Sequence, residues 1–221
     1  MNNNSSNNHS KRQKSIITAV GQVYYPKIFT PGEYNGQSTG YTVDVVFDDP
    51  QAEATLTQLA EACLDEAKAA PEWKGKKWSR PFYPYSETEA DDPVFKGKTK
   101  WRFKKNAEYT DRVTGETKQT LPPAVFDIKG NPVTDKDLII GNGSLVRIAF
   151  VPRPYYASPT VHGVRFEMSA VQLVEVKPWE RDAASYGFNV VGADADGGED
   201  LSAYTSSPYE IAPTEEMDGD F

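Results

Sequence analysis

One cysteine, Cys63, and two histidines, His9 and His162, supply the only thiol and imidazole groups in 221 residues. A lone thiol excludes an internal disulfide and fits a reducing compartment. With His9 in a polar head, the three cannot build a zinc site, so neither a metal nor a cofactor is expected. Long apolar runs are missing as well. None has the length of a signal peptide or a transmembrane helix, which points to a soluble, cytosolic protein. There is no Gly-rich dinucleotide turn and no Ser/His/Asp layout around a glycine elbow. Gly97-Lys98-Thr99 echoes the end of a phosphate-binding loop, but the position of its first glycine holds Asp92. Asp44, Asp48 and Asp49 form a candidate metal-dependent nuclease cluster, although Asp48 and Asp49 fit the start of a helix better. These gaps argue against an enzyme.

Positive charge is absent from one region only. Asp182 to Phe221 carries ten acidic side chains and no Lys or Arg. The whole chain has 24 basic and 32 acidic residues, so the first 181 hold 24 basic against 22 acidic. The net charge of −8 thus averages a slightly basic body and a strongly acidic tail. This layout suits a protein that handles a polyanion with its body and carries a polyanion mimic of its own. Asp218, Asp220 and the terminal Phe221 place charge and an aromatic ring where a partner's pocket can grip them. A solvated tail that only aids solubility is the plainer reading.

The expected organisation is a disordered polar head over residues 1–14, one folded domain over 15–181, and the acidic tail over 182–221. Ser15 to Tyr25 and Thr39 to Phe47 are β-branched and aromatic, and read as strands joined by a turn over Pro31 to Gly36. Pro50 opens a helix in which Leu56, Leu59, Ala60, Cys63, Leu64 and Ala67 share one stripe, and Pro71 stops it. Cys63 lies on that stripe, which makes it a structural thiol. Pro122 to Ile128, Gly143 to Val151 and Val164 to Val176 read as further strands, with a loop over Pro152 to His162. Short strands with one helix predict a mainly β domain, a small closed barrel or a sandwich.

The richest chemistry lies between Trp73 and Tyr109, where nine aromatic rings fall among ten Lys and Arg side chains. Thr99 to Asn106 alternates strictly. Lys100, Arg102 and Lys104 take one face of a strand, and Trp101 and Phe103 the other. Single-stranded nucleic acid needs cations for its phosphates and flat apolar faces for its unpaired bases. Trp101 and Phe103 are equally well read as core, with the cations a wet outer face. Lys105 and Tyr109 extend this group. A second one comprises Arg147, Arg153, Tyr155 and Tyr156, with Arg165 beyond the loop. The stiff Pro152-Arg153-Pro154 predicts that Tyr155 and Tyr156 sit at a rim.

Gly141-Asn142-Gly143-Ser144, the strand Val146 to Phe150, Tyr155 and Tyr156, Gly163-Val164 and Met168-Ser169-Ala170-Val171-Gln172 resemble bacteriophage single-stranded-DNA-binding proteins of the acidic-tailed kind. The resemblance extends in texture through Lys98 to Asn106, Val125 to Val133 and Tyr186-Gly187-Phe188. It implies an OB-fold, a five-stranded Greek-key barrel with one helix and elaborated loops. It also implies sequence-independent coating of single-stranded DNA in replication, recombination and repair, no catalysis, and a tail that docks replication and recombination proteins. The expected DNA-binding residues are Lys100, Trp101, Arg102, Phe103, Lys104, Lys105, Tyr109, Arg147, Arg153, Tyr155 and Tyr156. The expected location is the cytoplasm of an infected bacterium, away from membranes, with a homodimer left open. The rival reading is a DNA-free phage accessory protein with a solubilising tail. Two features depart from the family's simplest pattern: the helix follows only two strands, and Trp73 to Pro93 has no assigned counterpart.

Overall fold

Alternation dictates which side chains a strand hides, and the chain alternates best where it closes a ring. The computed structural model describes residues 14–178 except Asp91, Pro93 and Arg112. The polar head, Trp179 and the acidic tail lie outside the described residues. Among those described, the strands are β1 (Ile16–Ile17), β2 (Gly21–Tyr34), β3 (Gln37–Val46), β4 (Tyr85–Glu87), β5 (Thr99–Lys105), β6 (Glu108–Thr110), β7 (Thr117–Gln119), β8 (Ala124–Phe126), β9 (Leu145–Ser158) and β10 (Val161–Glu175). One helix, α1 (Pro50–Ala69), follows β3.

Five strands pair in the order β2–β3–β5–β10–β9, and β9 returns to β2. All contacts in the ring are antiparallel except β5 against β10, which is parallel at Phe103 and Phe166. This is the Greek-key order of an OB barrel, as the resemblance implies. Gly21 lies at the closing seam opposite Val146. A Cβ at Gly21 would lie 2.4 Å from Val45 Cγ1, so only glycine lets the strands approach there. The barrel interior is aromatic. Phe150 meets Phe166 at 4.5 Å between ring centroids and Phe103 at 5.1 Å, and Trp101 stacks on Phe166 at 6.0 Å.

The helix forms as its sequence predicts. Asp49 caps it by accepting the Gln51 N–H at 2.9 Å, and Pro50 takes the first helical position. Leu56, Ala60, Leu64 and Ala67 are buried, and Leu59 and Cys63 pack against the core from its edge. Burial pushes the Cys63 thiol up to about 11, which suits a structural thiol and not a nucleophile. The helix stands between the second and third strands of the ring and packs on β9 and β10.

Three expectations about the strands need correction. Ser15 to Tyr25 is not one strand. It breaks at Thr18, which exchanges hydrogen bonds with Ile148 through its own N–H and its hydroxyl. The turn read over Pro31 to Gly36 shrinks to Asn35-Gly36, both with positive φ, as a tight hairpin requires. Pro26 and Pro31 lie inside β2, at the register shifts that free a strand from its ladder. The loop read over Pro152 to His162 is mostly strand, since β9 runs to Ser158 and β10 starts at Val161. Ile148 points its N–H and C=O toward β1 and Thr18, so two and three strand periods on, the nitrogens of Pro152 and Pro154 point toward that same edge. Pairing with β1 has ended there at Phe150, so the missing N–H groups cost no ladder bond.

Phe103 is fully buried at the centre of this core. Phe103→Ala is therefore expected to lose about 3–5 kcal/mol of unfolding free energy in a urea titration. A loss below about 1 kcal/mol would place the ring outside the core.

Candidate nucleic-acid interface

Closure of the ring decides the ambiguity in β5. Trp101 is 2% exposed and Phe103 is not exposed at all, so both rings belong to the core and offer no face to a base. The expectation that they act as stacking platforms is corrected: strand alternation turns them inward and the barrel closes over them. Their neighbours Lys100, Arg102 and Lys104 point outward, but to different ends. The Lys100 ammonium lies 5.0 Å over the Tyr24 ring and 3.9 Å from Glu89, and is mostly covered. It serves the packing of the barrel wall.

Arg102 forms a two-bond fork with Asp44, at 2.8 Å from Nε and 2.7 Å from Nη2. Asp44 is buried while the guanidinium is more than half exposed, so the pair anchors the arginine and leaves one side open. Asp44 raises the arginine pKa, keeping the charge fixed. Among the described residues no carboxylate lies within ion-pair distance of Lys104, although Glu167 stands opposite it on β10. Burial, then the neighbouring guanidiniums of Arg165 and Arg102, hold its pKa below the usual lysine value. Lys104 thus adds a third positive charge beside two guanidiniums, across the strand pair from Glu167.

Arg165 reaches this place from β10, where it stands opposite Arg153 of β9. Both approach Glu167, at 3.4 Å from Arg153 and 3.9 Å from Arg165. Tyr155 shares their outer face by the two-residue period, close enough for Arg165 to oppose the upward shift that burial gives its phenol. Tyr109, 51% exposed on the β6–β7 hairpin, completes a small cleft with Lys104, Lys105, Arg165 and Glu167. Lys105 donates to the Pro122 carbonyl at 3.3 Å on the cleft's far side. The structure thus brings Arg102, Lys104, Lys105, Tyr109, Arg153 and Tyr155 together and adds Arg165, which the sequence left outside the site. Its signal was parity: Arg153 and Arg165 face each other once the two strands form a hairpin.

Two expected residues stand elsewhere. Arg147 donates to the Thr18 carbonyl at 3.3 Å and pairs across the sheet with Gln172, seven residues along β10 from Arg165. That is roughly 23 Å of strand, out of reach of the cleft. Tyr156 turns to the opposite side of the hairpin. It stacks on His162 at 5.3 Å and meets Trp78 at 5.2 Å and Trp73 at 6.3 Å. This cluster also explains the Trp73 to Pro93 insertion, which is strapped to the hairpin. The Phe82 N–H donates to the His162 carbonyl and the Val164 N–H to the Phe82 carbonyl, both at 2.9 Å. A Cβ at Gly163 would fall 2.0 Å from the Phe82 carbonyl oxygen, so the strap needs glycine there.

The acidic trio has separate duties. Asp44 holds Arg102, Asp48 accepts from Gln22 and Lys98 at 2.7 Å each, and Asp49 caps α1. Lys98 is the main reason that the Asp48 carboxyl stays below its usual range. Asp218, Asp220 and Phe221 lie outside the described residues.

No protein-family model matches the chain. It is similar to the single-stranded DNA-binding protein of Enterobacteria phage T3, with 31% identity over 151 residues, 62% of each chain. That match spans less than two thirds of the relative. The single-stranded DNA-binding protein of Escherichia phage T7 is 29% identical over 184 residues, 74% of this chain and 77% of the relative. Among solved structures, gp2.5, a single-stranded DNA-binding protein of bacteriophage T7, superposes with a TM-score of 0.62 at 23% identity. It covers 84% of this chain and 99% of its own. The single-stranded DNA-binding protein of bacteriophage Enc34, solved in complex with single-stranded DNA, gives a TM-score of 0.55 at 13% identity. It covers 76% of this chain and 91% of its own. The resemblance to bacteriophage single-stranded-DNA-binding proteins therefore holds in sequence and in fold.

Arg102 and Lys104, two of the outward cations of β5, should respond oppositely to removal. Arg102→Ala strands the buried Asp44 carboxylate and is expected to cost about 1–3 kcal/mol in urea unfolding. Lys104→Ala removes a desolvated, repelled charge and should unfold at an equal or higher urea concentration. Because the folded pKa of Lys104 is lowered, the unfolded chain holds its proton more tightly. The penalty is thus present at neutral pH and fades as pH rises from that folded value toward the unfolded one. Unfolding of wild type and Lys104→Ala at pH 7 and pH 10 should show the gap narrowing; a gap of opposite sign refutes the assignment.

Proposed function

We propose that this chain binds single-stranded DNA without regard to sequence, along the outer face of β5, β10 and β9. The observation that carries the proposal is the gathering of Lys104, Lys105, Arg165 and Tyr109 in one cleft, with Arg153 opposite Arg165 and Glu167 as the cleft's carboxylate. Cations bunched this closely repel one another and gain most from a flexible polyanion that can follow them. Arg102, Lys104, Lys105, Arg153 and Arg165 track phosphates. Tyr109 and Tyr155 supply the ring faces on which unpaired bases stack, in place of Trp101 and Phe103. In an OB barrel this region corresponds to the face of the second and third strands and the loop between the fourth and fifth, the usual oligonucleotide surface of the fold. The names of its relatives support the same ligand.

On this reading the protein is a coat and not an enzyme. It covers single-stranded DNA during phage replication, recombination and repair in the cytoplasm of the infected host. Asp218, Asp220 and Phe221 recruit replication and recombination proteins, by offering a partner acidic groups beside one aromatic ring.

Single-stranded DNA should bind well ahead of a blunt duplex, as measured by fluorescence anisotropy. With five phosphate contacts, the log–log salt slope should be about −3 to −4, at roughly 0.7 per contact. Tyr109→Ala should weaken binding by about 1–3 kcal/mol with the fold intact. Equal affinity for duplex, or a slope near zero, overturns the proposal. For the tail, a form ending at Asp220 should retain DNA affinity and lose replication proteins in a pull-down from infected cells. Equal capture by both forms removes Phe221 from the docking role.

A further inference from the structure

A second group of cations is built into the strapped insertion, and none of the expected DNA contacts includes it. Lys74, Lys76, Lys77 and Arg80 fall within seven residues, against Glu72 as the one nearby acid. All four are exposed. Among the described residues, no carboxylate stands within ion-pair distance of any of them. A solvated charge run on a mobile loop needs no explanation, but this one has a fixed base. The hydrogen-bonded Phe82 and the packed Trp78 hold the insertion to the β9–β10 hairpin, and Trp73 packs against Tyr156. Lys76 is itself clamped, its ammonium 4.7 Å from the Trp73 ring and 4.5 Å from the Tyr156 ring. Four unneutralised cations on one strapped segment, with Lys76 held between two rings and the other three exposed, repel one another, and a polyanion relieves that repulsion.

The hairpin connects this patch to the face already described. Consecutive residues Tyr155 and Tyr156 point to its two sides, one toward Arg153 and Arg165, the other toward Lys76. Two strands are only about 5 Å apart, so a flexible strand crosses from one side to the other within a few nucleotides. We infer that the insertion is a second contact region for single-stranded DNA, so that the strand leaves the Lys104–Arg165 face, passes over the β9–β10 hairpin and runs along Lys74, Lys76, Lys77 and Arg80. Its ligand is phosphodiester backbone, and Trp73 and Tyr156 add an aromatic edge beside it. The inference rests on the proposed function and goes further, because it lengthens the site and gives the insertion a task.

The test compares three full-length proteins on long oligo(dT): wild type, Lys74→Ala/Lys76→Ala/Lys77→Ala, and a charge-matched control, Lys27→Ala/Lys129→Ala/Lys136→Ala. The control lysines lie away from the hairpin tip, beside Tyr25 or on the loop after β8. The insertion variant should bind with a salt slope shallower by about 2 than either comparison, at roughly 0.7 per lost contact, and should occlude fewer nucleotides at saturation. Its melting temperature should fall only slightly, through loss of the Lys76 contacts with Trp73 and Tyr156, while Lys74→Ala/Lys77→Ala should melt as wild type does. Lys74→Ala/Lys77→Ala, which keeps the clamped Lys76, should give a change of about 1.4. A slope and an occluded length equal to the control's overturn the inference and leave the proposed function standing. Failure of wild type itself to bind oligo(dT) overturns both.

Discussion

The parallel pairing of β5 with β10 is the contact on which the rest depends. Every other junction of the ring joins antiparallel strands, and this one joins parallel strands at Phe103 and Phe166. Once it forms, the sheet has an inside. The alternate residues Trp101 and Phe103 become core, and Arg102 and Lys104 become surface with no further choice. The same pairing carries Arg165 to the side of Lys104. Core and interface are thus two faces of one register, and a slip of one residue would exchange them.

What the sequence disclosed follows this division between local and distant. The helix was legible in full because its stripe, cap and stop all lie within one stretch from Asp49 to Pro71. The alternation of β5 was legible, but its sense was not, because two faces are read locally and only closure says which is inside. The loop read over Pro152 to His162 failed for a related reason. Proline argues against a strand paired on both sides, and β9 is paired on one side there. In the sequence Arg165 is only a cation beyond the loop of the second basic–aromatic group; a cross-strand register sets it opposite Arg153. The insertion has no periodicity, and its order comes from backbone bonds to His162 and Val164 and from aromatic packing on the hairpin.

Electrostatically the interface mixes fixed and unfulfilled charge. Asp44 orients Arg102, and Glu167 is shared by Arg153 and Arg165, so the guanidiniums are held in place before any ligand arrives. Lys104 is half-buried beside Arg165 and Arg102, and its lowered pKa records that crowding. Such an arrangement places the cost of crowding like charges in the folded protein, and on the proposed function a phosphate would offset it. Stability and charge display are opposed at this one side chain, and cooperate at Arg102.

The two prolines of β9 have a consequence for further pairing. Among the described residues no strand pairs with that side of β9 beyond Phe150, and an unpaired edge invites another strand to join it. With no N–H at Pro152 or Pro154, and both nitrogens directed away from β10, that edge presents carbonyls without the donors that a ladder needs. A further strand, from this chain or another, therefore finds no complete ladder to extend along that edge.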